Sequence, residues 1–319
     1  MLRFLIRRII FGVVVMWIVA TIVFAMYFIA PHNVARTLAG RQAGAATIAA
    51  INRNLGLNRP IIVQYGSFLG KALHGNLGYS YSNSEPVTTL IGQALPVTAS
   101  LVAGGALIWL VIGVSTGVLA ATRPRSLIDR ATTSVALLFY SMPTFLLGEI
   151  LLLVLFFRLH LLGINWFPGA GYVPFTQNPL EWAHFLILPW LTIALVTAAT
   201  YVRLTRGSML DVMGEDYIRT ARAKGIRESR VIYRHGLRAA LTPVLTQFGI
   251  DVGTLLGGAI VTENVFGLPG LGELAVTSLE KQDLPTIIGI VLFASAFVVV
   301  ANIIVDTLYG LLDARVRLS

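Results

Sequence analysis

Between two apolar segments the chain carries EDYIRTARAKGIRESRVIYRHGLRAALTPVL, Glu215 to Leu245. This stretch holds seven of its 24 Lys and Arg residues: Arg219, Arg222, Lys224, Arg227, Arg230, Arg234 and Arg238, with His235 an eighth base when protonated. Hydrocarbon cannot take such a run, so it must lie in water although its neighbours on both sides do not. Its internal order is helix, stop, helix. Asp216 is expected to cap a helix over Tyr217–Lys224, and Gly225 to supply a left-handed stop after a basic last turn. Ser229, or Glu228 before it, then restarts a helix that runs into the apolar segment beginning near Ala239. A helix of two turns is marginal alone in water, so it needs a surface to lie on. Thr220, Ala221 and Ala223 are small enough to let a partner come close.

The positive-inside rule accounts for the charges of this stretch. It does not account for the Ala/Thr face or the placed glycine. Arg219-Thr220-Ala221-Arg222-Ala223-Lys224-Gly225, followed by Arg234-His235-Gly236-Leu237-Arg238, resembles the EAA loop of ABC importer permeases. The resemblance is closest to the dipeptide/oligopeptide/nickel branch, in which Arg replaces the usual Glu (here Arg219) and the usual closing Pro (here Arg238). It implies that Tyr217, Arg219, Thr220, Ala221, Arg222, Ala223, Lys224 and Gly225 couple this chain to an ATPase.

Composition enters because it agrees. The 319 residues are 56% hydrophobic and 12% charged, where a soluble domain carries about a quarter charged. That is a polytopic membrane protein. With no cysteine there is no disulfide or thiolate metal site, and no signal for the redox compartment. Arg3, Arg7 and Arg8 precede 22 uncharged residues, Ile9–Ala30. A signal peptide has a shorter apolar region of about 7–15 residues, so 1–30 is expected to be a retained first span. Residues 31–96 form the longest polar segment. Its Gln64–Ser80 part, with Gly75-Asn76-Leu77-Gly78-Tyr79-Ser80, resembles the family's first external loop with Asn76 in place of Asp. Gly70-Lys71 is not a phosphate loop, since no Gly stands five residues earlier and Ala72 replaces Ser/Thr.

Five further spans are expected over Val97–Ala121, Ala131–Phe157, roughly His184–Val202, Ala239–Thr262 and Leu284–Val305, each near or above the ~20 residues that cross a bilayer. Pro143 and Pro189 interrupt two of them. Gly113/Gly117 and Gly253/Gly257 are small-xxx-small pairs suited to close helix contact. With six spans and the N-terminus inside, seventeen Lys and Arg fall on the cytoplasmic side and seven on the outer side, which sets the orientation with both termini cytoplasmic. The net charge of +9 is thereby topological, and nucleic acid is not an expected partner. Asp251 falls midway along its span, where a charge is costliest, so it must face the bundle interior or water. It is either a packing device or part of a substrate path, with Gln247 and Thr254 extending a polar stripe and Glu149 a further candidate.

The last outer loop, Glu263-Asn264-Val265-Phe266-Gly267-Leu268-Pro269-Gly270-Leu271-Gly272, resembles the family's Glu-x-Val-Phe-x-x-Pro-Gly-Leu-Gly element. Glu263, Phe266, Pro269 and Gly270 would make a re-entrant turn at the outer mouth, or a plain structured turn. The tail Tyr309–Arg317 also matches, so the resemblance runs from the first span to the last ten residues.

No catalytic constellation is present. The five histidines have no ligand spacing, so no metal site is expected. No Walker A, Gly-x-Ser-x-Gly or His-Glu-x-x-His motif occurs. The resemblance implies an all-α, six-helix type I (MetI-like) permease, B-type in its branch, in a bacterial cytoplasmic membrane. Residues 97–313 would be the transmembrane domain, with the coupling loop at 203–238. Expected partners are membrane lipid, a second homologous permease, two ATP-binding subunits that hold ATP and Mg, and an extracytoplasmic binding protein. Peptides are the implied substrate, and nickel chelates or haem fall in the same branch. A secondary transporter would need inverted repeats and midplane ion ligands, and a membrane enzyme a nucleophile–base or metal pair. The chain displays neither.

Overall fold

The computed structural model describes residues 2–28, 44–46, 49, 58–256 and 259–312. Among them the chain is helical, and the helices are numbered here in chain order. They are α1 (Leu2–Phe28), α2 (Ile61–Leu73), α3 (Val87–Thr122) and α4 (Leu127–Ser141). Helix α5 begins over Thr144–Leu151, passes through a π-helical Leu152–Arg158 and ends over Leu159–Leu161. Helices α6 (Pro179–Met213) and α7 (Asp216–Ala223) follow. Helix α8 starts over Glu228–Arg230, continues through a π-helical Val231–Gly236 and runs on over Leu237–Leu256. The last three are α9 (Ile260–Phe266), α10 (Leu271–Glu280) and α11 (Leu284–Leu312). Among the described residues five helices are long and apolar enough to cross a membrane, and counting the bent pair α8–α9 as one span gives the six expected.

The two spans that contain Pro143 and Pro189 end differently. Pro143 has no N–H and disfavours helix at the residue before it. Met142 is accordingly extended, at φ −86° and ψ 129°, and the span expected over Ala131–Phe157 is divided into α4 and α5. Pro189 sits inside an unbroken α6, whose 35 residues overrun the expected His184–Val202 at both ends. At the start, Asn178 accepts from the Leu180 and Glu181 N–H groups and Pro179 occupies the first helical position. At the far end, 203–213 continue the helix into what the sequence marks as loop.

Helix α3 also begins early, at Val87 rather than Val97, and carries Pro96 inside it. Val87, Leu90, Ile91 and Ala94 are buried. Val87, Ile91 and Ala94 pack in one cluster with Leu271 and Ile290, so tertiary packing carries the helix past its missing hydrogen bond. Helix α2 lies on the C-terminal end of α1, where Phe24 meets Tyr65 and Phe68 with ring centroids 5.0 and 5.6 Å apart and Thr21 bonds the Tyr65 hydroxyl at 2.6 Å.

The core is the contact between α3 and α6. Side chains at Gly104 and Gly113 would overlap Trp190 and Tyr201, and a Cβ at Gly117 would lie 2.6 Å from Thr205 Cβ and 2.9 Å from the Val202 carbonyl. In lipid, where apolar burial gains little, such backbone approach is what holds helices together. The Gly113/Gly117 expectation is therefore met on α6. Gly253 meets Ala301 of α11, with 3.2 Å available to a Cβ. Gly257 lies outside the described residues.

Gly117→Val should destabilise the solubilised protein by about 1–3 kcal/mol or more, the usual cost of overpacking, and lower its Tm. Gly207→Ala is the control, because nothing lies within 4 Å of a Cβ there. Its Tm should not fall. Equal behaviour of the two variants would contradict the close α3–α6 contact.

Candidate functional site

The basic segment folds as a short helix on a seat supplied by its own chain. Ile218 is fully buried and Ala221 only 7% exposed, and both pack with Val231, Val212, Met213 and Ile226. The helix spans Asp216–Ala223, so Asp216 is its first residue and not its cap. Glu215 stands at the cap position in extended conformation, with no side-chain cap bond. At the other end Gly225 has φ +72°. Its N–H reaches the Arg222 carbonyl at 2.9 Å, and the Ile226 N–H reaches the Ala221 carbonyl at 3.3 Å. That is the Schellman stop with its hydrophobic contact, as the glycine predicts. Arg222 pairs with Glu228 at 2.8 Å across the turn, and Glu228 is the residue that restarts the helix. Both partners are exposed, so the pair orients more than it stabilises. Hydrogen bonding from Arg222 holds the Glu228 carboxyl below its ordinary value.

One expectation needs correction. Ala221 does not face a partner; its small side chain lets α7 settle onto Val231 and Met213. The outward face presents Tyr217, Arg219, Thr220, Arg222, Ala223 and Lys224.

Asp129 and Arg206, which sequence reasoning missed, tie α4 to α6. Arg206 donates from Nε to Asp129 Oδ1 at 2.6 Å and from a terminal nitrogen to Oδ2 at 2.9 Å, and the Arg125 N–H adds a third bond at 2.9 Å. The Arg206 guanidinium, helped by that N–H, holds the Asp129 carboxyl at about 2. The signal was present in the sequence: Ser126-Leu127-Ile128-Asp129 opens α4 as a capping box does, and Ser126 Oγ accepts from the Asp129 N–H.

The starts of α10 and α11 are built around two buried carboxylates. Glu263, on α9, has no exposed surface. It accepts from Thr98 Oγ1 of α3 at 2.6 Å, and from the Gly272 and Glu273 N–H groups at 2.6 and 3.1 Å. Thr98 Oγ1 in turn accepts from the Leu271 N–H at 2.9 Å. The free N–H groups at the start of α10 thus close on a carboxylate and a hydroxyl from elsewhere in the chain. Gly267, at φ +59°, makes the reversal, and a side chain at Gly270 would overlap the Glu263 carboxyl. Phe266 is buried, while Pro269 is exposed. Asp283 precedes α11 and accepts from the Ser80 and Ser82 hydroxyls, the Tyr81 N–H (3.1 Å) and Thr286 Oγ1 (2.9 Å). Burial alone would raise its carboxyl, but these bonds outweigh burial and keep it below its ordinary value. The Gly75–Ser80 turn is thereby anchored to the last helix. Within that turn Asn76 Oδ1 accepts from the Gly78 N–H at 3.1 Å.

Of the four polar residues singled out in the spans, two are brought together. Asp251 accepts from Tyr201 of α6 at 2.8 Å and from Gln247 on its own helix at 2.9 Å. Thr254 is exposed and donates to the Ile250 carbonyl, and Glu149 lies exposed on α5. Among the described residues no three His, Cys, Asp or Glu side chains could hold a metal ion. Asp251→Leu should strand the fully buried Tyr201 hydroxyl at a cost of about 1–3 kcal/mol and lower Tm accordingly. Asp251→Asn, which can still accept, should lose less than half as much, and equal losses would show that the hydrogen bond is not what the site provides.

The comparisons with known proteins agree along the whole chain. Residues 113–318 match the family described as binding-protein-dependent transport system inner membrane component, and residues 1–102 match its N-terminal companion. A putative peptide transport system permease protein of Brucella abortus is 41% identical over 317 residues, covering 99% of each chain. The glutathione transport system permease protein GsiC of Pectobacterium atrosepticum is 40% identical over 318 residues, with 99% of each covered. A probable peptide ABC transporter permease of Sinorhizobium fredii is 37% identical over 314 residues, covering 98% of this chain and 99% of that one. The chain therefore belongs to the binding-protein-dependent transport system inner membrane components, as a multi-pass ABC importer permease.

Proposed function

We propose that this chain forms half of the translocation pathway of an ATP-driven peptide importer. It pairs with a second homologous permease, takes its energy from two ATP-binding subunits and receives substrate from an extracytoplasmic binding protein. ATP and Mg belong to the ATPases. The observation that carries the reading is the seating of α7. A two-turn helix is held by Ile218, Ala221 and Val231 while it offers Tyr217, Thr220 and Lys224 outward, which is what a lever driven from below requires. Closure of the ATPases on ATP pushes α7, tilts the helices beneath which it sits and opens the path outward. The names of the relatives favour peptides; nickel chelates and haem are the alternatives within the branch.

Two variants separate the seat from the contact. Ala221→Asp buries an unpaired charge in the seat, a loss of several kcal/mol, and should expose the segment to protease and abolish copurification of the ATPases. Thr220→Arg alters only the outward face, so it should leave protease resistance intact and still reduce ATPase copurification or uncouple hydrolysis from uptake. Normal transport by Thr220→Arg would remove α7 from the interface.

The orientation rests on the basic residues of Arg203–Arg238. A reporter fused near Ser229 should face the cytoplasm and one near Asn83 the outside. Finding both on one side would overturn the topology.

A further inference from the structure

A cleft of about 190 Å³ runs between α4 and α6, with Leu137, Tyr140, Val202, Arg203 and Arg206 among its lining residues. Its two arginines differ. Arg206 is neutralised by Asp129. Arg203 is exposed and has no carboxylate within ion-pair distance among the described residues; its guanidinium carbon lies 5.2 Å from the centroid of the Tyr140 ring. Tyr140 is about 16 Å further along α4 than Asp129, at 1.5 Å per residue. The unpaired guanidinium is therefore drawn away from the Asp129–Arg206 level and towards the middle of α6, the reverse of the snorkelling seen near helix ends.

Two further observations say what this side of the molecule faces. Arg203 lies within the long apolar helix α6, and an unneutralised guanidinium there is too costly to leave against hydrocarbon, so it marks a water-filled or protein-lined space. Two residues past Tyr140 the helix breaks at Met142–Pro143, and irregular backbone at membrane depth is tolerated only where it is buried in protein or lines a cavity. The charge and the break lie side by side. Asp251, the acidic group at comparable depth, is already engaged by Tyr201 and Gln247.

We propose that Arg203, held over Tyr140, receives the terminal carboxylate of the transported peptide, and that this contact sets the permease's preference for substrates with a free C-terminus. The assignment rests on the peptide-import reading. A carboxylate is the one anion every linear peptide carries at its end, and a guanidinium matches it with two parallel hydrogen bonds. The ring keeps the guanidinium in place through cation–π attraction without neutralising it.

The test uses the complete importer, with binding protein and ATPases, in proteoliposomes. Uptake of trialanine is compared with uptake of its C-terminal amide, and the ratio is taken for wild type and each variant, so that the binding protein's own preference cancels. Arg203→Gln should lower that ratio about tenfold or more, as loss of a charge-assisted contact does. Arg203→Lys, which keeps the charge but not the two parallel hydrogen bonds, should recover only part of it. Tyr140→Leu keeps the charge but frees it, and should lower the ratio by an intermediate factor, which preserves the test if Arg203→Gln does not assemble. An unchanged ratio in the assembled variants overturns the proposal. So does an unchanged ratio with loss of bound phosphatidylglycerol, read by mass spectrometry, because the guanidinium would then serve lipid. If wild type moves neither peptide but does move a nickel chelate or haem, the peptide reading itself falls and the proposal with it.

Discussion

The close approach of α3 and α6 is the contact on which the other helices depend. Glycines at 104, 113 and 117 let the two backbones meet, and Trp109 and Tyr201 fill the space alongside with ring centroids 6.1 Å apart. Three polar ties to the rest of the bundle then start from these two helices. Arg206 of α6 holds α4 at one end, Tyr201 of α6 holds α8 in the middle, and Thr98 of α3 holds the α9–α10 reversal at the other end. Removing the glycine contact would shift the origin of all three ties together.

The carboxylates at both ends follow one physical rule. A buried charge is stable only where donors replace its water. Glu263 finds them at the start of α10, Asp283 at the start of α11 and in the Ser80–Ser82 turn, and Asp129 in the turn entering α4 together with Arg206. For Glu263 the donors are the surplus N–H groups of a helix N-terminus, whereas for Asp129 and Asp283 they are side chains and loop N–H groups. For Asp129, whose carboxyl is lowered to about 2, the sign follows directly: its stabilisation is complete above the unfolded value of about 3.9 and fades as pH falls towards 2. At neutral pH the tie is intact.

Much of the architecture was legible because it is local. The apolar runs mark the spans, Gly225 marks the stop after α7, and Gly113/Gly117 mark the α3–α6 contact. Pro143 and Pro189 show the limit of local reading. Both are prolines in apolar helices, yet only Pro143 breaks its helix. The early start of α3 was hidden in the same way, since it depends on Val87 meeting residues that come roughly two hundred positions later. The latch residues Thr98 and Glu263 lie 165 positions apart, and Ser80 and Asp283 lie 203 apart. No periodicity pairs them. Ala221 was recognised as a small residue with a purpose, but the sequence could not say on which side of the helix its neighbour lay.

If α7 is the lever proposed above, the inward placement of Ala221 decides how it would transmit force. Its seat includes Val212 and Met213 of α6, and Met213 and Met209 also bear on Gly236 of α8, the former with only 3.0 Å to spare for a Cβ. Helix α6 continues without a break for 35 residues, about 52 Å at 1.5 Å each. In its N-terminal half Thr192 lies against Gly148 of α5, and Leu186 and Leu188 share a core with Phe266 and Leu268 of the α9–α10 reversal. Interiors packed this closely do not absorb displacement gradually. A push on α7 must either unseat Ile218 and Ala221 or move α6 as a rod, and the buried seat makes the second course the cheaper one. The π-helical turn at Val231–Gly236 adds a place where α8 can adjust without losing its backbone hydrogen bonds. A two-turn helix that would be marginal alone thus borrows the stiffness of α6.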